Sequence, residues 1–337
     1  MGEFAALTSS IVWACASLLY MRLGARFSPK ALNFLKSAMA LVLLLLTFVI
    51  VEGRLWPTEL SWTGFLWLAG SGIIGFTLGD TAFFYGLSRL GPRIALLLTT
   101  LTPPITGVLA FIFLKEPLTN VFLIGMVLTM TGIGVVIWER EQDLKKTDSS
   151  KEPATHSSSP DESVEDSTAN EKLSSSPVSS RKVFWLGVGG AVLANLAQAV
   201  VNVITRYAGS ETTALGISIV RLSVGVVGLM FFMGMTSRTL EQIRPSAHPK
   251  SVWGTLFAAM MLGTYLGIWL SMAGIRYSGH TGIATTLGST SPLFVLPLTY
   301  WFLKEKLSRA SIAGAFLAVS GIAFLFVGDS LMKWLMP

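Results

Sequence analysis

A 45-residue message occurs twice in this chain, and that repetition limits the possible folds more than any other feature. Residues 94–138 read IALLLTTLTPPITGVLAFIFLKEPLTNVFLIGMVLTMTGIGVVIW, and residues 283–327, 189 positions on, read IATTLGSTSPLFVLPLTYWFLKEKLSRASIAGAFLAVSGIAFLFV. Aligned without gaps, 14 of the 45 positions are identical, among them Pro103/Pro292, Leu114-Lys115-Glu116/Leu303-Lys304-Glu305, Gly125/Gly314 and Gly132/Gly321. A fixed-offset match of that length marks an internal duplication. Whatever one half builds, the other half builds as well.

The repeated material is apolar. Hydrophobic residues make up 52% of the chain and charged residues 13%, against about 25% charged in an average soluble protein. Apolar runs of about 20 residues, at about 1.5 Å per residue, are each long enough to cross a hydrocarbon core about 30 Å thick. Ten such spans are predicted, near 4–22, 30–51, 63–87, 93–114, 119–138, 183–205, 212–234, 251–273, 281–302 and 309–328. Residues 1–138 and 183–328 are then two five-helix repeats, and 329–337 is a short C-terminal tail. Between the repeats, residues 139–182 carry ten acids, seven bases and many Ser/Thr with no apolar period. Such a segment cannot bury enough apolar surface to offset its ordering entropy, and a disordered, solvated linker is expected. Met1-Gly2-Glu3-Phe4 offers no basic region of a cleavable signal. Cys15 is the single cysteine, so no disulfide framework exists. The net charge of +6 sits in loops that anchor a membrane protein and forms no basic stripe for nucleic acid.

Five spans per half is an odd number, so homologous halves must lie in the membrane with opposite orientation. The loops 22–30, 88–93, 139–182, 235–250 and 303–309 carry 18 Lys/Arg, while the alternating set carries five. The positive-inside rule puts the linker in the cytoplasm and both termini outside. The corresponding short loops swap charge: Lys115 alone in the first half, Lys304, Lys306 and Arg309 in the second. The predicted fold is therefore an all-α integral membrane protein, ten transmembrane helices forming two inverted five-helix repeats around a central cavity. Gly75-x-x-x-Gly79 and Gly263-x-x-x-Gly267 are matched small-residue faces suited to close helix packing.

Three charged side chains lie well inside predicted spans: Lys36, Asp80 and Arg221. Each costs about 2.5–3.5 kcal/mol at a helix centre on insertion scales, so each is a functional candidate. Lys36 and Arg221 hold matching places early in the second helix of each half, and inversion makes them converge from opposite faces. Two converging cations suit a solute carboxylate, although Lys36 is also close enough to the interface to snorkel. Asp80 is not repeated, since Ile268 holds its place in the second half. Its depth matches that of Lys36, which allows either a structural ion pair or a carboxylate that couples transport to protons. Asn195, Gln198 and Asn202 share one face of span 6 and should face the interior, touching solute or bridging helices. Thr99, Thr100 and Thr102 before Pro103-Pro104 match Ser289, Thr290 and Ser291 before Pro292, as a kink or a binding backbone. Trp13, Tyr85, Tyr265 and Trp269 are aromatic candidates for a cavity wall.

Enzyme motifs are absent: there is no P-loop, no G-x-S-x-G, no H-E-x-x-H, and no metal or cofactor set. Two halves that each end in a Pro-containing helix, a Leu-x-Glu turn and a Gly-rich helix resemble the EamA family of the drug/metabolite transporter superfamily. The marks are LTPPI, LKEPL and GMVLTMTGIGVV in the first half and TSPLF, LKEKL and GAFLAVSGIAFL in the second. Lys36 and Arg221 fall at the family's basic position in the second helix, where Arg is more usual. Leu78-Gly79-Asp80-Thr81-Ala82-Phe83-Phe84 is similar to a third-helix version that some members carry. The resemblance implies an alternating-access permease for amino acids or similar anionic and zwitterionic metabolites, working in efflux, in the plasma membrane (the inner membrane if bacterial). A monomer or weak homodimer is expected, with solute, lipid and, if Asp80 couples transport, protons as partners. Superfamily members are often drawn with cytoplasmic termini, against the charge count. A non-transporting scaffold or sensor acting through the charged linker is the alternative.

Overall fold

The structure, a computed structural model, describes residues 2–115, 119–149, 181–208, 212–233, 241–271, 287–304 and 308–335. Among them every regular element is helical: α1 (Gly2–Gly24), α2 (Pro29–Glu52), α3 (Trp62–Gly72), α4 (Asp80–Thr99), α5 (Thr102–Leu114), α6 (Asn120–Ser149), α7 (Arg181–Ala208), α8 (Ala214–Met233), α9 (Lys250–Met260), α10 (Ser291–Leu303) and α11 (Arg309–Leu335), with one short 3-10 turn at Pro245–Ala247. Among the described residues, seven helical stretches are long and apolar enough to cross a membrane: Phe4–Gly24, Pro29–Glu52, Trp62–Thr99, Asn120–Leu144, Arg181–Thr205, Leu215–Phe232 and Lys250–Ser271. Thr102–Leu114, Ser291–Leu303 and Arg309–Phe324 are shorter apolar helices.

Local chemistry sets the ends. Ser28 caps α2, accepting from the Ala31 N–H at 3.4 Å, with Pro29 in the first turn and Gly53 left-handed at the far end (φ 70). Ser61 caps α3 through the Gly64 N–H at 3.0 Å. Gly91 has φ 75 and ψ 167 and precedes Pro92, so the helical path breaks there. That break divides the predicted third span from the fourth, because glycine alone takes this backbone easily and proline supplies no N–H.

Three boundaries differ from the sequence expectation. α6 continues to Ser149, past the predicted linker start at 139; its extension is tied to α11 by Ser311 Oγ donating to Glu139 (2.8 Å) and to α7 by Arg181–Glu141 (2.7 Å). α7 begins at Arg181 rather than 183, and α11 runs to Leu335 through the predicted tail. The rest of the linker lies outside the described residues, as does all of 272–286, including His280.

Both halves depart from α geometry at matching places. A π-helical turn, Ile73–Gly79, joins α3 to α4, and a second, Met261–Leu266, follows α9, starting 188 positions later. In the first, Asn33 Nδ2 donates to the Phe76 carbonyl (2.6 Å); just after the second, Ser9 Oγ donates to the Gly267 carbonyl (3.2 Å). The turns after α5 and α10 also match. Lys115 (φ 57) and Lys304 (φ 53) are left-handed caps whose N–H groups return to the Ala110 and Thr299 carbonyls. A side chain in that conformation costs about 1 kcal/mol relative to glycine. Lys304→Gly is accordingly expected to raise stability by about 1 kcal/mol in thermal unfolding of the detergent-solubilised protein. A fall would show that the lysine side chain anchors the turn.

The packing is paired. α5 against α7 has its counterpart in α1 against α10, α3 against α7 in α1 against α9, and α3 against α8 in α2 against α9. α6 and α11 make the most extensive contact. At their crossing, a Cβ on Gly132 would stand 2.5 Å from the Gly314 carbonyl, and one on Gly321 2.6 Å from the Gly125 carbonyl. These four are the glycines that the duplication repeats, so their small size is needed for backbone contact. The main cores, built on Tyr20, Phe27, Leu87 and Leu256 and on Leu97, Phe184, Ala191 and Ala318, join helices of both halves.

Candidate functional site

The first π turn assembles the charged centre. Because the turn holds Gly75 against Val201 of α7 and against the Arg221 side chain of α8, it lies wedged between those helices. A Cβ on Gly72 would run into the Arg221 carbonyl, so α3 and α8 touch through backbone. Arg221 therefore enters beside Phe76, its guanidinium carbon 5.4 Å from the ring centroid. From α2, Lys36 Nζ donates to Asp80 Oδ2 and sits 5.3 Å from the Phe84 centroid and 5.9 Å from that of Phe76. The Lys36 side chain is 5% exposed and that of Asp80 28%. Asp80 is also near enough for its charge to act on Arg221. Both cations thus lie near the Phe76 ring, and the one described carboxylate beside them, Asp80, is paired with Lys36.

Arg221 is not balanced in the way that Lys36 is. Its Nε is buried with no hydrogen-bond partner, and among the described residues no carboxylate pairs with the guanidinium. Sequence reasoning missed three contributors. Asn33, fully buried, donates through Nδ2 to the Phe76 carbonyl and to Thr81 Oγ1 (3.0 Å), and Ser37 Oγ donates to its Oδ1 (3.2 Å). It fixes the π turn to α2, one helical turn from Lys36. Phe76 and Phe84 supply the ring faces. Asn33 could have been found by the rule that singled out Asn195, since an amide in an apolar span needs a partner.

The Asn/Gln face of α7 forms a separate ladder to α5. Thr102 Oγ1 donates to Asn195 Oδ1 (2.8 Å), Gln198 Nε2 to Asn202 Oδ1 (2.9 Å), and Asn202 Nδ2 to Thr106 Oγ1 (3.3 Å). The helical period puts these three on the same face as Phe184, Gly187 and Ala191, which are buried, and opposite Trp185, Val192 and Leu196, which are exposed. Asn195 is 4% exposed, yet Gln198 and Asn202, farther from the linker end, are exposed. The inner face of α7 is sealed from the linker end as far as Asn195 and accessible beyond it.

The remaining candidates go elsewhere. Tyr85 lies under the Arg89 guanidinium, 3.3 Å from ring centroid to carbon, and against Gly190, on the linker side of Asp80. Tyr265 shares a hydrogen bond with Thr47 (2.8 Å) and packs near Trp269, which is 39% exposed. Trp13 stacks on Phe83 at 6.1 Å. Thr99 and Thr100 hydroxyls donate to the Leu96 and Leu97 carbonyls (both 2.6 Å), and Thr290 to Leu287 (2.6 Å), the local repair expected at a kink.

The comparisons agree with this architecture. The model of the EamA-like transporter family matches residues 1–138 and again 185–327. A solved crystal structure aligns over 100% of this chain and 99% of its own, with TM-score 0.59 and 15% identity, a likeness of fold alone. No curated protein matches the sequence.

Proposed function

The chain belongs to the EamA-like transporter family and is a multi-pass integral membrane protein, and from that premise we propose that it is a secondary carrier of small carboxylate-bearing metabolites. Amino acids and similar anionic or zwitterionic solutes are the class, moved unchanged and outward by alternating access. The observation that carries the reading is Arg221. A guanidinium inside the spans, beside an ion pair that leaves it unmatched, is costly unless something else supplies the anion. Its planar fork suits two parallel hydrogen bonds to a carboxylate. Asp80, which pairs with Lys36 and lies close to Arg221, is the anion set beside the solute contact.

We read the architecture as ten crossings in two inverted five-helix repeats. The reading is supported by the matched π turns, the matched left-handed lysines and the reciprocal glycine contacts of α6 and α11. Reciprocity, with residue i meeting the repeat of j and j meeting the repeat of i, is the mark of a two-fold relation. The accessible Gln198 and Asn202 beyond a sealed Asn195 correspond to a carrier open on the face opposite the linker.

The test is counterflow into proteoliposomes holding the purified full-length protein. Saturable uptake of labelled solute driven by the same solute inside is expected for at least one carboxylate-bearing metabolite. No exchange across the panel would overturn the carrier reading and favour a scaffold acting through the linker. In a Cys15→Ala background, Gln198→Cys is expected to react with an impermeant maleimide, and Asn195→Cys to be protected. Equal labelling would remove the one-sided opening.

A further inference from the structure

Among the described residues, the three charged side chains of the centre do not balance. Lys36 and Arg221 bring two positive charges and Asp80 one negative charge. Asp80 Oδ2 is held by Lys36, so the excess charge resides on Arg221, which lies against the Phe76 ring. A ring face steadies a cation but does not neutralise it. In a site of low dielectric, an uncompensated charge is the dominant electrostatic burden.

We propose that this centre selects solutes by net charge, preferring those with one net negative charge, and that Asp80 is the specificity-determining residue. The proposal rests on the reading of Arg221 as a solute contact. A monoanionic carboxylate on Arg221 brings the cluster to zero. A dicarboxylate would invert it to minus one. A zwitterion would leave it at plus one, with its ammonium set beside two cations and the one carboxylate already engaged by Lys36. Asp80 sets the count rather than Lys36 for two reasons. Its side chain is 28% exposed while that of Lys36 is 5%, so Asp80 is the member of the pair that meets the solute. Its place in the second half is taken by Ile268, so the repeated architecture does not require an acid there.

The experiment is flux into proteoliposomes at neutral pH, using labelled 2-hydroxy acids, 2-amino acids and dicarboxylates matched in chain length. Wild-type protein is expected to carry the 2-hydroxy acid best. Asp80→Asn raises the cluster to plus two and should shift the ratio of dicarboxylate to monoanion flux upward by about ten-fold or more. Lys36→Met lowers it to zero and should move the preference toward the zwitterion. The double variant Lys36→Met/Asp80→Asn returns it to plus one and should restore the wild-type order. The single variants push in opposite directions, so one that folds is sufficient. A purely structural pair predicts weaker flux with unchanged order; that result, a double variant that does not restore the order, or a wild type that ranks a zwitterion or dicarboxylate first, overturns the proposal. Arg221→Ala separates the two levels. Flux surviving that change removes the solute site itself, whereas flux lost there with an unaltered order in Asp80→Asn overturns only the charge rule.

Discussion

Asp80→Asn is expected to lower folding stability by about 3–5 kcal/mol, read from unfolding of the purified protein in detergent. The substitution is nearly isosteric, so the loss is electrostatic. Among the described residues, it leaves Lys36, 5% exposed and beside Phe76 and Phe84, with no carboxylate, and removes the anion that acts on Arg221. Lys36→Met should cost less, because Asp80 keeps Arg221 as a neighbouring cation. The double variant should return to within about 1 kcal/mol of wild type, since removing a buried pair together leaves no orphaned charge. Additive losses in the double variant would mean that the two residues act independently, and the ion pair would then have no energetic role.

Sequence alone revealed that pairing through depth, because Lys36 and Asp80 sit at similar distances from the same membrane face on successive spans. It revealed the glycine crossing of α6 and α11 through repetition, since Gly125, Gly132, Gly314 and Gly321 are among the residues both halves retain. The π turns were illegible. One inserted residue rotates the downstream helix by about 100° but leaves an apolar run apolar and long enough to span, and it is compensated by side chains distant in sequence, such as Asn33. The extension of α6 to Ser149 was illegible for a related reason: Ser311 and Arg181 hold its acids, and neither contact has a local signature. The spacing of Asn195, Gln198 and Asn202 revealed their shared face. That one end is sealed and the other accessible depends on the conformation of the whole protein, which no local pattern encodes. Tyr85 is one of four aromatics read as a cavity wall on residue type alone, and residue type does not encode its place under Arg89.

Arg221→Lys is expected to reduce solute flux by about 100-fold, and Arg221→Ala to leave only background. Losing one partner of a desolvated charge pair costs about 2–5 kcal/mol, and about 2.7 kcal/mol corresponds to 100-fold. Lysine keeps the charge but not the planar fork, so its residual activity measures how much recognition is bidentate geometry rather than Coulomb attraction. The contrast with Asp80 lies in stability. Arg221 packs against α3 through its backbone at Gly72, and its Nε has no partner to lose, so truncating its side chain should leave unfolding within about 1 kcal/mol of wild type. If Arg221→Ala instead unfolds the protein, its contact with Phe76 is structural and the anion must be received elsewhere. If it folds normally and still transports, the unmatched guanidinium is no part of the solute path.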